Sequence, residues 1–268
     1  MKNLLPRQTI KKRNRRRNSL LIIFLLLAAG LACFFIVKKN YFRSVSVEVA
    51  KKDLPTSVPF PPTQSASASA TATGTVVNIE IPEQLNLDIP FTSQAPRAIW
   101  DHTHEEACEE AAILMAGRYF SKGKINGPED AEKALQEIID FEMKKLGFFE
   151  STTAKQTAEI IESFYGLNAE LVFSPDIKTI KRSLAENKLV IVPTAGQQLG
   201  NPFYTSPGPL YHMLLIKGYT ADKFITNDAG TKRGENYPYK FATVLQANHD
   251  WNNGNVAEGE KVVIIVSK

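Results

Sequence analysis

An uncharged run of apolar residues lies near the N-terminus. Residues 20–37 contain no Lys, Arg, Asp or Glu and consist mostly of Leu, Ile, Phe and Ala. A helix of this length is roughly 27 Å long, which is close to the hydrocarbon core of a bilayer. The run therefore predicts a membrane-spanning helix over 20–37 that acts as a signal anchor. A cleaved signal peptide is the alternative, although its apolar core is normally shorter and ends in small residues.

Basic residues before this run predict its orientation. The tail 1–19 carries eight Lys or Arg and no acidic residue, whereas only the pair Lys38-Lys39 follows the run closely. Positive charge is retained on the cytoplasmic side of a membrane. We therefore expect a single-pass protein with a cytoplasmic N-terminus, an extracytoplasmic remainder and the lipid membrane as a partner.

A segment without the pattern of a core follows. Residues 38–76 include many Pro, Ser, Ala and Thr, and 65–73 alternate only Ser or Thr with Ala. Such composition cannot bury enough apolar surface to fold. It predicts a flexible linker between the membrane and a domain over 77–268.

The pattern over 77–268 is that of one globular domain. Apolar spacing and helix-start residues predict helices over Ala107–Tyr119, Pro128 to about Leu146, Ala154–Tyr165, Pro175–Asn187 and near Tyr239–Asn248. Alternating or continuous apolar runs predict strands over 77–81, 85–89, Leu189–Val192, Tyr211–Tyr219, Lys223–Thr226 and Lys261–Ser267. Helices followed by strands indicate an α+β fold.

Charge divides the chain unevenly and excludes one class of partner. Residues 1–76 hold 13 Lys or Arg and 2 Asp or Glu, whereas 77–268 hold 19 basic and 26 acidic residues. Binding to nucleic acid depends on the neutralisation of phosphates by basic side chains. An acidic domain lacks that property, so no nucleic-acid partner is predicted.

Cys108 is the cysteine of the domain, since the other one, Cys33, lies in the apolar run. Thr103 and Glu106 have the spacing of a capping box, which would place Cys108 in the first or second turn of a helix. The partial positive charge of a helix N-terminus favours a thiolate. Against this, Glu105 at i−3 is expected to approach the sulfur and raise its pKa. A small apolar core residue is the other interpretation of Cys108.

Glu109 and Glu110, which follow Cys108 directly, are expected to point away from the sulfur, because neighbouring helical residues do not face each other.

His212 and Asp228 belong to neighbouring predicted strands. His212 begins an apolar strand, and alternation places it on the inward face. A hairpin would bring it to Asp228, whose carboxylate would fix the imidazole tautomer and leave the other ring nitrogen to take a proton from sulfur. A buried structural histidine and a turn aspartate are the alternatives.

Other arrangements of histidine remain open at this point. His104 stands at i−4 from Cys108 and is a second candidate for the base. His102 and His104, with Glu105 or with the His249-Asp250 pair, could offer zinc ligands, but the spacing matches no zinc signature. No metal or cofactor is predicted.

Four stretches of the domain together resemble a known family. They are Ile89-Pro90-Phe91-Thr92-Ser93-Gln94-Ala95-Pro96, Cys108-Glu109-Glu110-Ala111, Tyr211-His212-Met213-Leu214 and Ile225-Thr226-Asn227-Asp228-Ala229-Gly230-Thr231. They are similar to the peptidase C39-like family of papain-like cysteine peptidases, over roughly residues 85 to 268. The resemblance implies a papain-like fold, with an N-terminal helical part followed by an antiparallel sheet.

The resemblance also implies roles for four residues. Cys108 would be the nucleophile, His212 the general base and acid, and Asp228 the residue that orients His212. Gln94 would stabilise an oxyanion together with the backbone N–H of Cys108. Gln94 departs from the family pattern, because it precedes the cysteine by 14 residues and the intervening segment must loop out.

The predicted function is that of a membrane-anchored, extracytoplasmic cysteine peptidase. It would hydrolyse peptide bonds of a peptide or protein substrate through a thioester on Cys108. Transpeptidation and isopeptide hydrolysis would use the same residues. The alternative is a catalytically inactive papain-like module that binds peptide or cell-wall material in an aromatic groove.

Overall fold

A computed structural model describes residues 7–59 and 80–268 of the chain. The chain divides into two compact units, Met1–Ser46 and Val47–Lys268. Helix α1 (Arg7–Lys52) contains the residues 20–37 for which a membrane-spanning helix is predicted. Within 7–59 and 80–268, no helix combines the length and the apolar character that crossing a bilayer requires.

The predicted linker is helical in its first part. Residues 38–52 continue α1, which ends three residues before Pro55. The pattern did not predict this helix, although 38–52 contain neither Pro nor Gly and therefore nothing that breaks a helix. The rest of the predicted linker includes 60–76, which lie outside the described residues.

The second unit is an α+β domain, as predicted. Its helices are α2 (His102–Glu105), α3 (Cys108–Phe120), α4 (Pro128–Lys145), α5 (Ala154–Tyr165), α6 (Ile177–Ala185), α7 (Gly196–Leu199) and α8 (Phe241–Ala247). Its strands are β1 (Leu85–Asn86), β2 (Asn168–Phe173), β3 (Leu189–Thr194), β4 (His212–Tyr219), β5 (Lys223–Asp228), β6 (Tyr237–Lys240) and β7 (Val262–Ser267).

One antiparallel sheet forms the centre of the domain. The strands have the order β2-β7-β3-β4-β5-β6, and β1 adds to β4. Every residue of β4 is buried, as is typical of a strand covered on both faces. In the β4–β5 pair, Leu214 lies opposite Asp228, so the first residue of β4 projects beyond the end of β5.

Two strands escaped prediction for identifiable reasons. β2 has half-exposed residues that give no clear apolar run, and it pairs only with β7 at one edge of the sheet. β6 contains Pro238, and proline in a strand is confined to edges, where β6 lies. The alternation predicted over 85–89 gives only the short strand β1, and part of the 77–81 stretch lies outside the described residues.

Helix α3 is buried nearly all round. Twelve of its 13 residues are buried, and it packs on β4, α4 and α5. Close packing requires small residues: a Cβ on Gly117 would lie 2.3 Å from the ring of Tyr165. The first residue of this helix is Cys108, so the packing of α3 fixes the position of the thiol.

The start of α3 differs from the prediction. Asp101, not Thr103, caps the preceding helix α2, and its carboxylate accepts the backbone N–H of His104 at 3.1 Å. The chain then turns, and α3 begins at Cys108 without a side-chain cap. Aspartate is at least as good an N-cap as threonine, so Asp101 takes the role two residues earlier.

Two buried carboxyl groups join α3 to α4. Glu110 and Glu142 are fully buried, and their oxygens receive no donor from any other described residue. Burial without donors favours the neutral, protonated form of both carboxyl groups. Burial is the main cause that raises the pKa of Glu142 to about 7.

We expect the stability of the domain to fall as the pH rises from about 4.5 to about 7. Between these two pH values the folded state keeps a proton on Glu142 that the unfolded state has already lost. The stabilisation is therefore complete below the pKa of Glu142 in the unfolded state, 4.5, and it is lost as the pH rises through the pKa in the folded state, about 7. The loss is on the order of 3 kcal/mol. Glu142→Gln should flatten this slope in chemical denaturation measured across this range.

The exposed Glu137 of the same helix supplies the control. Glu137→Gln should leave the wild-type slope in place, since this side chain forms only a surface pair with Lys133. A Glu142→Gln variant that follows the wild-type pH dependence would contradict the assignment of the retained proton to Glu142.

Candidate active site

A cleft of about 690 Å³ lies where the N-terminal end of α3 faces the start of β4. Cys108 and His212 both line it, together with residues of the loop that precedes β4. Trp100 and Leu210 stand on its wall and are about half exposed, 45% and 51%. The cleft thus combines a buried polar centre with apolar side chains that reach solvent.

Cys108 contributes the thiol of the cleft. It is the first residue of α3 and only 5% exposed. Its backbone N–H is one of those that helix geometry leaves without an intrahelical acceptor. The backbone N–H of Met213, the second residue of β4, donates a hydrogen bond to its sulfur.

A carboxylate, however, also contacts this sulfur. Cys108 Sγ donates to Oε2 of Glu109 at 2.9 Å. Burial, and after it the charge of Glu109, raise the pKa of the Cys108 thiol well above its ordinary value. The expectation that Glu105 would approach the sulfur, and that Glu109 would point away, is corrected: the turn before α3 places Glu109 at the cleft.

His212, the first residue of β4, contributes the imidazole of the cleft. Its backbone is held by the hydroxyl of Thr194, which donates to the His212 carbonyl at 2.8 Å. Its Nε2 lies 2.8 Å from Oδ1 of Asp228, so the proton on this nitrogen points to the carboxylate. That leaves Nδ1 as the nitrogen able to accept a proton. The ring is 1% exposed.

Asp228 is fully buried and receives five hydrogen bonds. Oδ1 accepts from His212 and from the backbone N–H of Gly230 at 3.0 Å. Oδ2 accepts from Asn201 at 2.9 Å and from the hydroxyls of Tyr204 at 2.8 Å and Tyr239 at 2.6 Å. Burial raises the pKa of Asp228, but His212 and the two tyrosines outweigh it and hold the pKa below its ordinary value.

The partners of Asp228 are functional residues that sequence reasoning missed. Tyr204 also packs edge-on against the imidazole of His212, with the ring centroids 5.5 Å apart. A Cβ on Gly230 would lie 3.0 Å from Cε1 of that imidazole, so a larger residue here would displace the ring. Asn201 and Tyr204 lie in the loop before the strand predicted from Tyr211, and Tyr239 begins the helix predicted near Tyr239–Asn248, so no local signal identifies them.

Gln94 lies close to this centre despite its distance in sequence. Its backbone N–H donates to the carbonyl of Ala229, which places it beside the end of β5. Its side-chain Nε2 donates to the carbonyls of His104 and Glu105 at 2.8 and 3.0 Å. With one N–H on each carbonyl, the amide has no donor left for an oxyanion. In this arrangement Gln94 secures the segment that leads to Cys108.

The alternatives to His212 lose their basis in geometry. Both ring nitrogens of His104 are engaged, Nδ1 with Asp101 at 2.6 Å and Nε2 with Glu132 at 3.0 Å. Burial lowers the pKa of His104, but these carboxylates outweigh it and raise the pKa overall. In the described part of the chain, no three His, Cys, Asp or Glu side chains are grouped to hold a metal ion.

The chemistry available to the cleft follows from these contacts. A thiol at a helix N-terminus, an imidazole with one free nitrogen and an ionised carboxylate behind it are the components of nucleophilic catalysis. The carboxylate fixes the imidazole in orientation and tautomer and stabilises its protonated form.

Comparison with known proteins identifies the family of this chain. The model of the Peptidase_C39 like family matches residues 86–255, which include the thiol, the imidazole and the carboxylate. Among solved structures, the crystal structure of a proposed C39-like peptidase from Bacillus anthracis matches with 14% sequence identity and a TM-score of 0.45. The match covers 70% of this chain and 99% of that chain. No curated protein matches. On the strength of the family match, which spans most of the α+β domain, this chain belongs to the peptidase C39-like family.

Proposed function

We propose that the protein is a cysteine peptidase that cleaves peptide bonds with Cys108, His212 and Asp228. The observation that carries the proposal is the shared cleft: the thiol at the start of α3 and the imidazole at the start of β4 both line it, and Asp228 hydrogen-bonds to the imidazole. A buried histidine with only a structural role would not need a carboxylate saturated with five donors. This arrangement supports catalysis over a purely structural pair.

The proposed reaction begins with transfer of the Cys108 proton to Nδ1 of His212. The thiolate attacks the carbonyl carbon of the scissile bond, and the imidazolium returns its proton to the leaving amine. A water molecule, deprotonated by the same imidazole, then hydrolyses the thioester. Asp228 stays ionised throughout and stabilises the imidazolium, as its lowered pKa favours.

The developing oxyanion requires donors. The backbone N–H of Cys108 points from the N-terminus of α3 and is the first donor we propose. Gln94 is the second, on condition that its amide releases one of the two carbonyls that it now binds. Its oxygen Oε1 has no hydrogen-bond partner among the described residues, so the amide is held only through its nitrogen.

A peptide or protein is the substrate class that fits the cleft. Trp100 and Leu210 offer half-exposed apolar surface on its wall, on which substrate side chains can pack. Membrane anchoring through 20–37, with the catalytic domain outside the cytoplasm, belongs to the same proposal. It rests on the uncharged run and on the basic residues 1–19.

The first test is labelling of the full chain with a peptide that carries a thiol-reactive group. We expect fast labelling at Cys108, and we expect His212→Ala to slow it by about 10²–10⁴-fold, because the variant lacks the imidazole that takes the thiol proton in the proposed reaction. His249→Ala is the matched control and should label at the wild-type rate, since its Nδ1 contacts the carbonyl of Gly259 and the ring does not line the cleft. Mass spectrometry identifies the labelled cysteine and excludes Cys33.

If Cys108 of the wild type is labelled slowly and His212→Ala does not change the rate, the proposal that the protein is a cysteine peptidase is refuted. That result, combined with binding of the unreactive parent peptide, would instead establish the inactive binding module.

The second test concerns Asp228→Asn. Both oxygens of the Asp228 carboxylate accept hydrogen bonds, whereas an asparagine amide has one accepting oxygen and one donating NH₂ group. In the variant, the NH₂ group must therefore face N–H or O–H donors that a carboxylate oxygen accepts in the wild type. We expect Cys108 labelling to slow by about 10²–10⁴-fold and the melting temperature to fall. Asp222→Asn, at the exposed turn between β4 and β5, should change neither.

Removal of one donor should have an intermediate effect. Tyr239→Phe deletes a single hydroxyl of the five donors and should slow labelling by about tenfold or less. If Asp228→Asn labels as fast as wild type, Asp228 has no part in orienting the base.

A further inference from the structure

One carboxyl group of the cleft, that of Glu109, has no part in the reaction described above. Its side chain is 1% exposed. One oxygen, Oε2, lies 2.9 Å from Cys108 Sγ, and the other, Oε1, accepts the backbone N–H of Thr152 at 3.0 Å. Because a backbone group of the segment before α5 fixes the carboxyl, its contact with the sulfur is part of the fold.

The titratable groups near Glu109 are acids, phenols and one imidazole. Glu106 approaches from the turn before α3, Glu110 from α3, Glu142 from α4, and Tyr211 from the residue before β4. The imidazole is that of His212, which lines the same cleft and becomes a cation when it takes the thiol proton in the proposed reaction. Burial, followed by the charge of Glu110, raises the pKa of Glu109 well above its ordinary value. The carboxyl therefore retains a proton to higher pH than an ordinary glutamate.

The two protonation states of Glu109 act on the sulfur in opposite ways. An ionised carboxylate accepts the S–H, and a thiolate formed beside it would be a second negative charge at 2.9 Å in a buried site. A neutral carboxyl carries an O–H that can donate to the thiolate, as the N–H of Met213 also does. In that state the S–H proton moves to His212, while the proton of Glu109 stays on its oxygen.

We propose that Glu109 is a proton-controlled catalytic residue, whose neutral carboxyl stabilises the Cys108 thiolate and whose ionised form holds the thiol unreactive. The inference rests on the proposed function, because it assigns the thiol proton to His212. It has a consequence that separates Cys108 from an ordinary thiol. The reactivity of a free cysteine rises with pH as the thiolate forms, whereas the reactivity of Cys108 falls once Glu109 ionises.

The test is the rate at which iodoacetamide, a small neutral reagent, alkylates Cys108 in the full chain between pH 5 and 9. We expect the wild-type rate to fall by at least about tenfold from its maximum towards pH 9. The reason is that each pH unit above the pKa of Glu109 lowers the fraction with a neutral Glu109 carboxyl by about tenfold. In Glu109→Gln, the amide oxygen can still accept from Thr152 and the amide N–H can donate to the sulfur. This variant should lose the alkaline fall and react at least about tenfold faster than wild type at pH 9.

Glu110→Gln is the matched control. It removes a buried acid one residue further along α3, without removing a contact to the sulfur, and should keep the alkaline fall. A Glu109→Gln profile parallel to the wild-type profile would overturn the proposal. Loss of the fall in both variants would also overturn it, because the effect would then belong to the total charge and not to the Glu109 contact.

The wild-type profile is decisive by itself if Glu109→Gln fails to fold: a rate that rises continuously to pH 9 refutes the inference. The base is tested separately by His212→Ala. An unchanged rate in that variant would refute the proposed triad, whereas an alkaline fall relieved by Glu109→Gln would still assign Glu109 to the thiol. The two failures are therefore distinguishable.

Discussion

The hydrogen bond between His212 and Asp228 depends on the register of two strands, and the cleft is built around it. Leu214 pairs directly with Asp228, and His212 precedes Leu214 by two residues on the same face of β4. The imidazole is thus the diagonal neighbour of the carboxylate, a separation that a side chain of this length can span. A slip of one residue would turn His212 to the other face and separate the pair. Sheet register, more than any loop, places the base.

The sequence carried enough information to predict this pair but not the residues that support it. His212 stands in a continuous apolar strand and Asp228 closes the next one, so hairpin pairing is a local inference. Tyr204 and Tyr239 reach Asp228 from a loop and from an edge strand that contains proline. Contacts of that kind depend on how distant segments pack, for which a single sequence has no local signal.

The start of α3 is a second place where the sequence predicts an element but not the contacts of its side chains. The helix itself was predicted to within a residue at each end, because its alanine-rich, apolar pattern is strong. The orientation of the glutamates beside Cys108 was not, because it depends on whether Asp101 or Thr103 caps the preceding turn. The two capping residues have similar intrinsic preference, and tertiary contacts decide between them. In the fold that results, Glu109 and not Glu105 contacts the sulfur.

The two walls of the cleft differ in their electrostatic balance. On the side of the sheet, Asp228 accepts five hydrogen bonds, and although burial raises its pKa, His212 and the two tyrosines hold that pKa below its ordinary value. At the helix wall, Glu109 and Glu110 are buried beside the thiol, and the pKa values of all three groups are raised. The N-terminus of a helix offers only about half a positive charge, which is less than one carboxylate carries. A thiolate at Cys108 therefore cannot be stabilised by α3 alone. Its charge must be balanced by protons, one on His212 and others kept on the buried carboxyl groups. The thiolate can therefore form beside Glu109 and Glu110 only while these carboxyl groups stay neutral.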